Sequence, residues 1–278
     1  MGLPTYSLIG AGILTLSEAG MLVRVEPFWT WHTPIAWTGY ILLIDGIIYA
    51  KRRSSWLMTN RREFFFLAAV SIPLWVVFEG YNLLIRNWYY INLPENLIVR
   101  YFGYAWAFAT ISPGIFQTAE LVSVLRGGGV SRPSTGDYRL ATFDYVSMAI
   151  GAAMLTWPIV WPSPYLAAPV FLGFIFLLDP INARAGDESL LRDFRAGNFS
   201  RLINLLVGGF ICGGLWEFWN YWAKAKWIYT VPILGDIRMF EMPVLGYFGF
   251  PPFALECFAM YVFVRHLVWR GARRPIGV

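Results

Sequence analysis

At 278 residues the chain is long enough for one or two soluble domains, but 57% apolar residues, 14% charged residues and a mean hydropathy of +0.52 exclude that class. The net charge of +5 follows from a bias between connecting segments and calls for no nucleic-acid partner. Two cysteines, Cys212 and Cys257, make neither a disulfide framework nor a metal knuckle.

Apolar stretches predict eight transmembrane helices, at 4–24, 33–50, 64–86, 98–124, 140–160, 165–182, 201–222 and 242–264. The fold class is therefore an all-α polytopic membrane helix bundle. The first stretch has no basic n-region and no small-residue cleavage site, so it reads as a retained helix with Glu18 inside it. Segments 51–63, 125–139, 183–201 and the stretch after Val264 hold 16 of the 22 Lys and Arg. The positive-inside rule puts these on the cytoplasmic side, which predicts a multi-pass protein of the cell membrane with both termini cytoplasmic. The basic stretch Arg265 to Arg274 reads as a topology anchor. Asp187-Glu-Ser-Leu-Leu-Arg-Asp-Phe-Arg195 and its counterpart Arg53 to Arg61 read as solvated, charged connectors. The opposite connections are aromatic, with Phe28-Trp29-x-Trp31, Trp88-Tyr-Tyr90, Trp157 with Trp161, and Trp227-x-Tyr229. Such rings form an interfacial belt or the lip of a lipid-facing cavity.

The chain carries one unit twice. Gly39-Tyr-Ile-Leu-Leu-Ile-Asp45 aligns with Gly173-Phe-Ile-Phe-Leu-Leu-Asp179. Ser55 then meets Ser189, Leu57 meets Leu191, Glu79 and Asn82 meet Glu217 and Asn220, and Trp88-x-Tyr90 meets Trp227-x-Tyr229. Residues 1–126 form the first four-helix repeat, 127–138 a Gly/Ser/Pro linker, and 139–278 the second repeat. Four spans per copy keep both copies in the same orientation, which predicts a pseudo-two-fold axis along the membrane normal.

The matching polar positions are candidates for chemistry. Glu79 and Asn82, like Glu217 and Asn220, lie three apart and share a helix face. Placing a carboxylate at mid-bilayer costs about 2.5–3.5 kcal/mol on insertion scales. A carboxyl held in an apolar pocket keeps a proton available for donation. Glu120 and Glu256 occupy comparable places near the end of each copy and are candidate ligand contacts. Asp45 and Asp179 read as helix caps or partners of nearby arginines. Hydrogen bonds through such groups also hold bundles together without catalysis. Bundle di-metal sites use Glu-x-x-His, whereas the third position here is Asn in both copies, and no phosphate-binding loop, Ser-His-Asp order or HExxH helix is present. No metal and no cofactor is expected.

Trp216-Glu217 followed by Trp227-x-Tyr229, and Phe78-Glu79 followed by Trp88-x-Tyr90, resemble motifs of the integral-membrane lycopene cyclases, which are also built from a repeated small helical module. The family's third element, Pro-x-Glu-Glu, has no counterpart here. Glu241-Met-Pro243 has its acid before the proline, and Pro94-Glu95 lacks the second acid. The resemblance implies a cofactor-independent membrane enzyme acting on an isoprenoid.

The first reading is acid–base, proton-initiated chemistry on a membrane-dissolved isoprenoid or other lipid. Glu79 and Glu217 would transfer the proton, Asn82 and Asn220 would orient them, and Trp88, Tyr90, Trp227 and Tyr229 would border the substrate. A small proton-coupled transporter and a non-catalytic membrane scaffold are the alternatives.

Overall fold

Seven helical segments are long and apolar enough to cross a bilayer, as in a multi-pass integral membrane protein. The computed structural model describes residues 2–128 and 138–277, so most of the predicted linker lies outside the described residues. The helices are α1 (Thr5–Leu22), α2 (His32–Arg52), α3 (Trp56–Thr59), α4 (Arg61–Ile85), α5 (Leu97–Ala109), α6 (Ile111–Leu125), α7 (Thr142–Val160), α8 (Ala167–Arg184), α9 (Leu190–Arg195), α10 (Ser200–Trp222) and α11 (Phe250–Val268). Two strands, β1 (Trp88–Ile91) and β2 (Lys226–Tyr229), follow α4 and α10. They mark the strand end of the bundle, and the segment after α11 marks the opposite, tail end. The predicted first span forms α1, whose glycines, hydroxyls and Glu18 dilute its hydropathy, and it is not among the seven.

The predicted span 98–124 is two helices in line, α5 and α6, parted at Thr110. Pro113 lies in the first turn of α6, where its missing N–H costs nothing. Ser71 of α4 repairs the break: its hydroxyl donates to Phe108 O at 2.6 Å and accepts from Ser112 N at 3.0 Å. Pro251 and Pro252 likewise begin α11 and do not interrupt it.

The same local solutions occur twice. In the α1–α2 hairpin a β-carbon on Gly10 would lie 2.7 Å from Gly39 O, and in the α7–α8 hairpin one on Gly151 would lie 2.7 Å from Gly173 O. Glycine is required at both crossings because the backbones touch. Beside them Ser7 Oγ donates to Leu43 O at 2.9 Å and Ser147 Oγ to Phe176 O at 3.0 Å. Asp45 accepts from Ser55 Oγ (2.7 Å) and Leu57 N (3.1 Å), while Asp179 accepts from Ser189 Oγ (2.9 Å), Leu190 N (2.9 Å) and Leu191 N (2.8 Å). Each aspartate thus caps a short helix that starts at the next serine. In the core Trp37 of α2 packs on Trp216 of α10 at 5.0 Å between ring centroids, and Phe171 of α8 stacks on Phe78 of α4 at 5.2 Å.

The tail end departs from the sequence reading. Asp187, Glu188, Arg192 and Asp193 are buried, so the segment around α9 is not a solvated connector. Arg265 and Arg274 are also buried, whereas Arg270 and Arg273 of the same stretch are exposed. The segment after α11 folds back into the bundle. Arg274 pairs with Glu120 and its backbone N–H donates to Glu63 at 2.6 Å. Ile276 N donates to Glu188 at 3.0 Å, and Arg201 Nε donates to Ile276 O at 3.1 Å. Arg265 bridges Glu63 (3.1 Å) and Glu188 (2.5 Å), and Arg201 bridges Glu188 (2.7 Å) and Asp193 (3.1 Å).

Two outcomes follow from this network. Arg274→Ala leaves Glu120 under-compensated in the interior and is expected to cost about 3–5 kcal/mol, read as a lower Tm in detergent; an unchanged Tm would mean the tail is merely resting there. Burial pushes the Glu188 carboxyl up, but Arg201 and then Arg265 outweigh it and hold it below the ordinary glutamate value. Its stabilisation is therefore present above pH of about 4.3 and lost as pH falls through its folded value. An acid melt should be shallower in Glu188→Gln than in the unaltered protein.

Candidate functional site

Helices α4 and α10 each present a glutamate and, one turn later, an asparagine toward the strand end. The asparagines hold backbone. Asn82 Oδ1 accepts from Asn87 N (2.8 Å) and Trp88 N (3.2 Å), and its Nδ2 donates to Trp88 O (2.8 Å). Asn220 Oδ1 accepts from Trp227 N (2.9 Å) and Nδ2 donates to Trp227 O (2.8 Å). Neither amide bonds its neighbouring glutamate, which corrects the expectation that they orient the carboxyls. Their geometry serves the strands, because each locks the first residue of a Trp-x-Tyr segment to its own helix.

So held, β1 and β2 pair antiparallel with Trp88 opposite Tyr229 and Tyr90 opposite Trp227. Each strand's tryptophan faces the other's tyrosine, so the register is unchanged when matched residues are exchanged. Alternate residues share a face of a ribbon, and these four side chains lie on one face. All four line a cavity of about 510 Å³ at the strand end. Trp31, Trp37, Trp75, Phe171, Trp216 and Phe253 add further aromatic wall.

The glutamates stand behind this wall. Neither Glu79 nor Glu217 lines the cavity, and each is reached through a tyrosine that does. Tyr90 Oη donates to Glu79 Oε1 at 2.5 Å and Tyr229 Oη donates to Glu217 Oε1 at 2.8 Å. Burial, reinforced by the adjacent carboxylate, pushes both tyrosine hydroxyls well above the ordinary phenol value, so they stay protonated. The surroundings of the two acids differ. Glu79 Oε1 also accepts from the indoles of Trp75 (2.8 Å) and Trp88 (3.2 Å). Glu217 is fully buried and its Oε2 has no hydrogen-bond partner among the described residues, while the Trp227 indole turns to Tyr229 Oη at 2.9 Å.

Glu120 and Glu256 do not belong to this site and are not alike. Glu120 sits at the tail end with Arg274 and Arg52. Glu256 is buried in α11 with Phe174 N as its partner at 3.0 Å, and its Oε2 is unpartnered among the described residues. Neither lines the cavity. Among the described residues no cluster of three or more His, Cys, Asp and Glu is placed to hold a metal ion. The residue that the sequence reading missed is Trp75, although its position four before Glu79 puts it on the same helix face. The wall residues Trp37 and Phe171 carry no local signal, because they come from other helices.

No family model matches this chain, and comparison with curated proteins and with solved structures gives no match.

The asparagine clamps are open to a direct check. Asn220→Ala leaves the Trp227 N–H and C=O unpaired, at an expected cost of about 1–3 kcal/mol. Amide hydrogen exchange should quicken in 226–229 and, through the ribbon, in 88–91. Unaltered exchange in both strands would show that the ribbon needs no clamp.

Proposed function

We propose that the protein is a membrane enzyme that performs acid–base chemistry on a lipid dissolved in the bilayer, of isoprenoid type, bound in the aromatic cavity. The observation that carries this reading is the placement of Tyr90 and Tyr229, each on the cavity wall and each hydrogen-bonded to an intramembrane glutamate behind it. A volume of about 510 Å³ falls within the ~300–1,000 Å³ of pockets that bind small molecules.

In this reading Glu217 is in its protonated form when the lipid binds, so that the Tyr229–Glu217 hydrogen bond runs from the acid to Tyr229 Oη and the tyrosine hydrogen turns to the cavity. The Glu217 carboxyl then gives its proton to Tyr229 Oη as the Tyr229 hydroxyl gives its own to a double bond of the lipid. The carboxylate is left behind the wall and a carbocation in front of it. Aromatic faces attract a cation at close range, and the tryptophans of the wall supply them. Loss of a proton from the lipid along the reverse path restores the acid. Glu79, whose Oε1 already accepts three hydrogen bonds, is the less available of the two acids. The resemblance to lycopene cyclases agrees with this chemistry.

The scaffold and carrier readings have less support. The two glutamates are bonded to tyrosines and indoles, not to arginines, and stand one side chain from a cavity. A carrier needs a polar route past the acids, whereas the tail end is filled by the buried ion pairs of Glu63, Glu120 and Glu188.

We also infer that the paired glycines, capped short helices and symmetric ribbon come from two copies of one unit, related by a pseudo-two-fold axis through the ribbon. The sixteen Lys and Arg of the basic connections favour a cytoplasmic tail end in the cell membrane.

Mass spectrometry of lipids that co-purify in native membrane patches tests the reading. An isoprenoid or other polyene should be retained, Glu217→Gln should weaken its retention, and Tyr229→Phe should keep the lipid but slow its conversion by about 10²-fold or more. Bulk phospholipid alone, unchanged by either substitution, would overturn it.

A further inference from the structure

The charges on the cavity wall carry information about the ligand's polar end. Arg100 and Lys226 are the charged side chains that line it, and no carboxylate does. Lys226 is neutralised: its Nζ lies 2.5 Å from Glu241 Oε1 and also donates to Tyr221 O at 3.3 Å. Arg100 differs. Its side chain makes one hydrogen bond among the described residues, from Nε to Pro94 O at 2.9 Å, and no acid pairs with it. Its two terminal nitrogens are left free to bind something else.

The position of this guanidinium is defined from two sides. Pro94 O fixes Nε from the loop after β1, and α5 carries the residue within its first turn. One turn further along α5, Tyr104 packs against Tyr90 with ring centroids 5.3 Å apart. The cation therefore stands at the strand end of the same wall that holds the Tyr90–Glu79 pair. An apolar interior with one uncompensated cation suits a molecule with an apolar body and a single anionic head. Arginine's planar fork matches the oxygens of a phosphate or carboxylate, and such charge-assisted hydrogen bonds are about twice as strong as neutral ones.

We propose that the cavity takes a single-tailed acidic lipid, whose phosphate or carboxylate head is bound by Arg100 while its chain lies among the aromatic rings. This rests on the reading of the cavity as a lipid site and narrows it, since an uncharged hydrocarbon would leave Arg100 unanswered.

The experiment uses the full chain in phosphatidylcholine nanodiscs and reads quenching of its tryptophans, several of which line the cavity. Farnesyl monophosphate is titrated against farnesol, and palmitoleate against palmitoleyl alcohol. At least one acid should bind about tenfold or more tighter than its alcohol. Arg100→Gln should remove that preference and leave alcohol binding unchanged, whereas Arg100→Lys should keep part of it. The acid that shows the preference identifies the head as phosphate or carboxylate. Equal binding of acid and alcohol in the unaltered protein would overturn the proposal while leaving the lipid site standing, and it needs no variant to fold. A preference that survives Arg100→Gln would also overturn it. Failure of all four compounds to quench would remove the lipid site itself, and this inference with it.

Discussion

The ribbon between Trp88–Ile91 and Lys226–Tyr229 is the constraint on which the candidate site depends. It is short, and two strands of this length are marginal by themselves. What makes it stable is the attachment of each strand to the end of its own helix through Asn82 and Asn220, which satisfy the Trp88 and Trp227 backbone groups in both directions. The helices then fix the strands, and the strands fix the helices to each other. Because alternate residues share a face, this backbone arrangement delivers two tryptophans and two tyrosines to one surface. It also sets each tyrosine hydroxyl against the glutamate one helical turn before the asparagine.

The tail end follows a different logic. Six arginine and glutamate side chains, Glu63, Glu120, Glu188, Arg201, Arg265 and Arg274, are at most 6% exposed, and they neutralise one another across segments far apart in sequence. Buried ion pairs contribute modestly to net stability, because desolvation offsets much of their attraction. They are unforgiving when one member is lost. The network therefore specifies one arrangement of α4, α6, α9, α10 and α11 more than it strengthens it. The strand end, by contrast, is aromatic and leaves a cavity unfilled. A charge-locked end and an apolar, hollow end would suit the lipid site proposed above.

Much of this was legible in the sequence, and the rest failed for identifiable reasons. Helix positions followed from apolar run length, and the matched Glu, Asn, Trp and Tyr positions pointed to the residues around the cavity. Asp45 and Asp179 were readable as caps because a serine and an apolar residue recur at the same distance after each. The break at Thr110 was not readable, since its repair depends on Ser71 from another helix. The buried arginines were not readable either: a basic stretch after a final span looks like an anchor until the carboxylates that receive it are located in space. The asparagines were placed correctly and given the wrong task. Spacing of three puts Asn on the same face as Glu, but the unsatisfied backbone at the start of a strand is the more demanding partner.

The two matched acids, Glu79 and Glu217, have unequal surroundings. Trp75 stands four residues before Glu79 and gives it an indole hydrogen bond. Four residues before Glu217 the chain has Gly213, and the space there is taken by Phe250, whose ring would lie 2.1 Å from an added β-carbon. Phe250 has no donor to offer. The same helix face thus supplies a third hydrogen bond in one half and a hydrocarbon wall in the other. Among the described residues Glu217 is left with the Tyr229 hydroxyl on its Oε1 and with nothing on its Oε2, because the Trp227 indole also turns away to Tyr229 Oη. Three hydrogen bonds on its Oε1 suit Glu79 to a fixed acceptor that holds the ribbon, whereas Glu217, with one, can change its proton with fewer bonds to break.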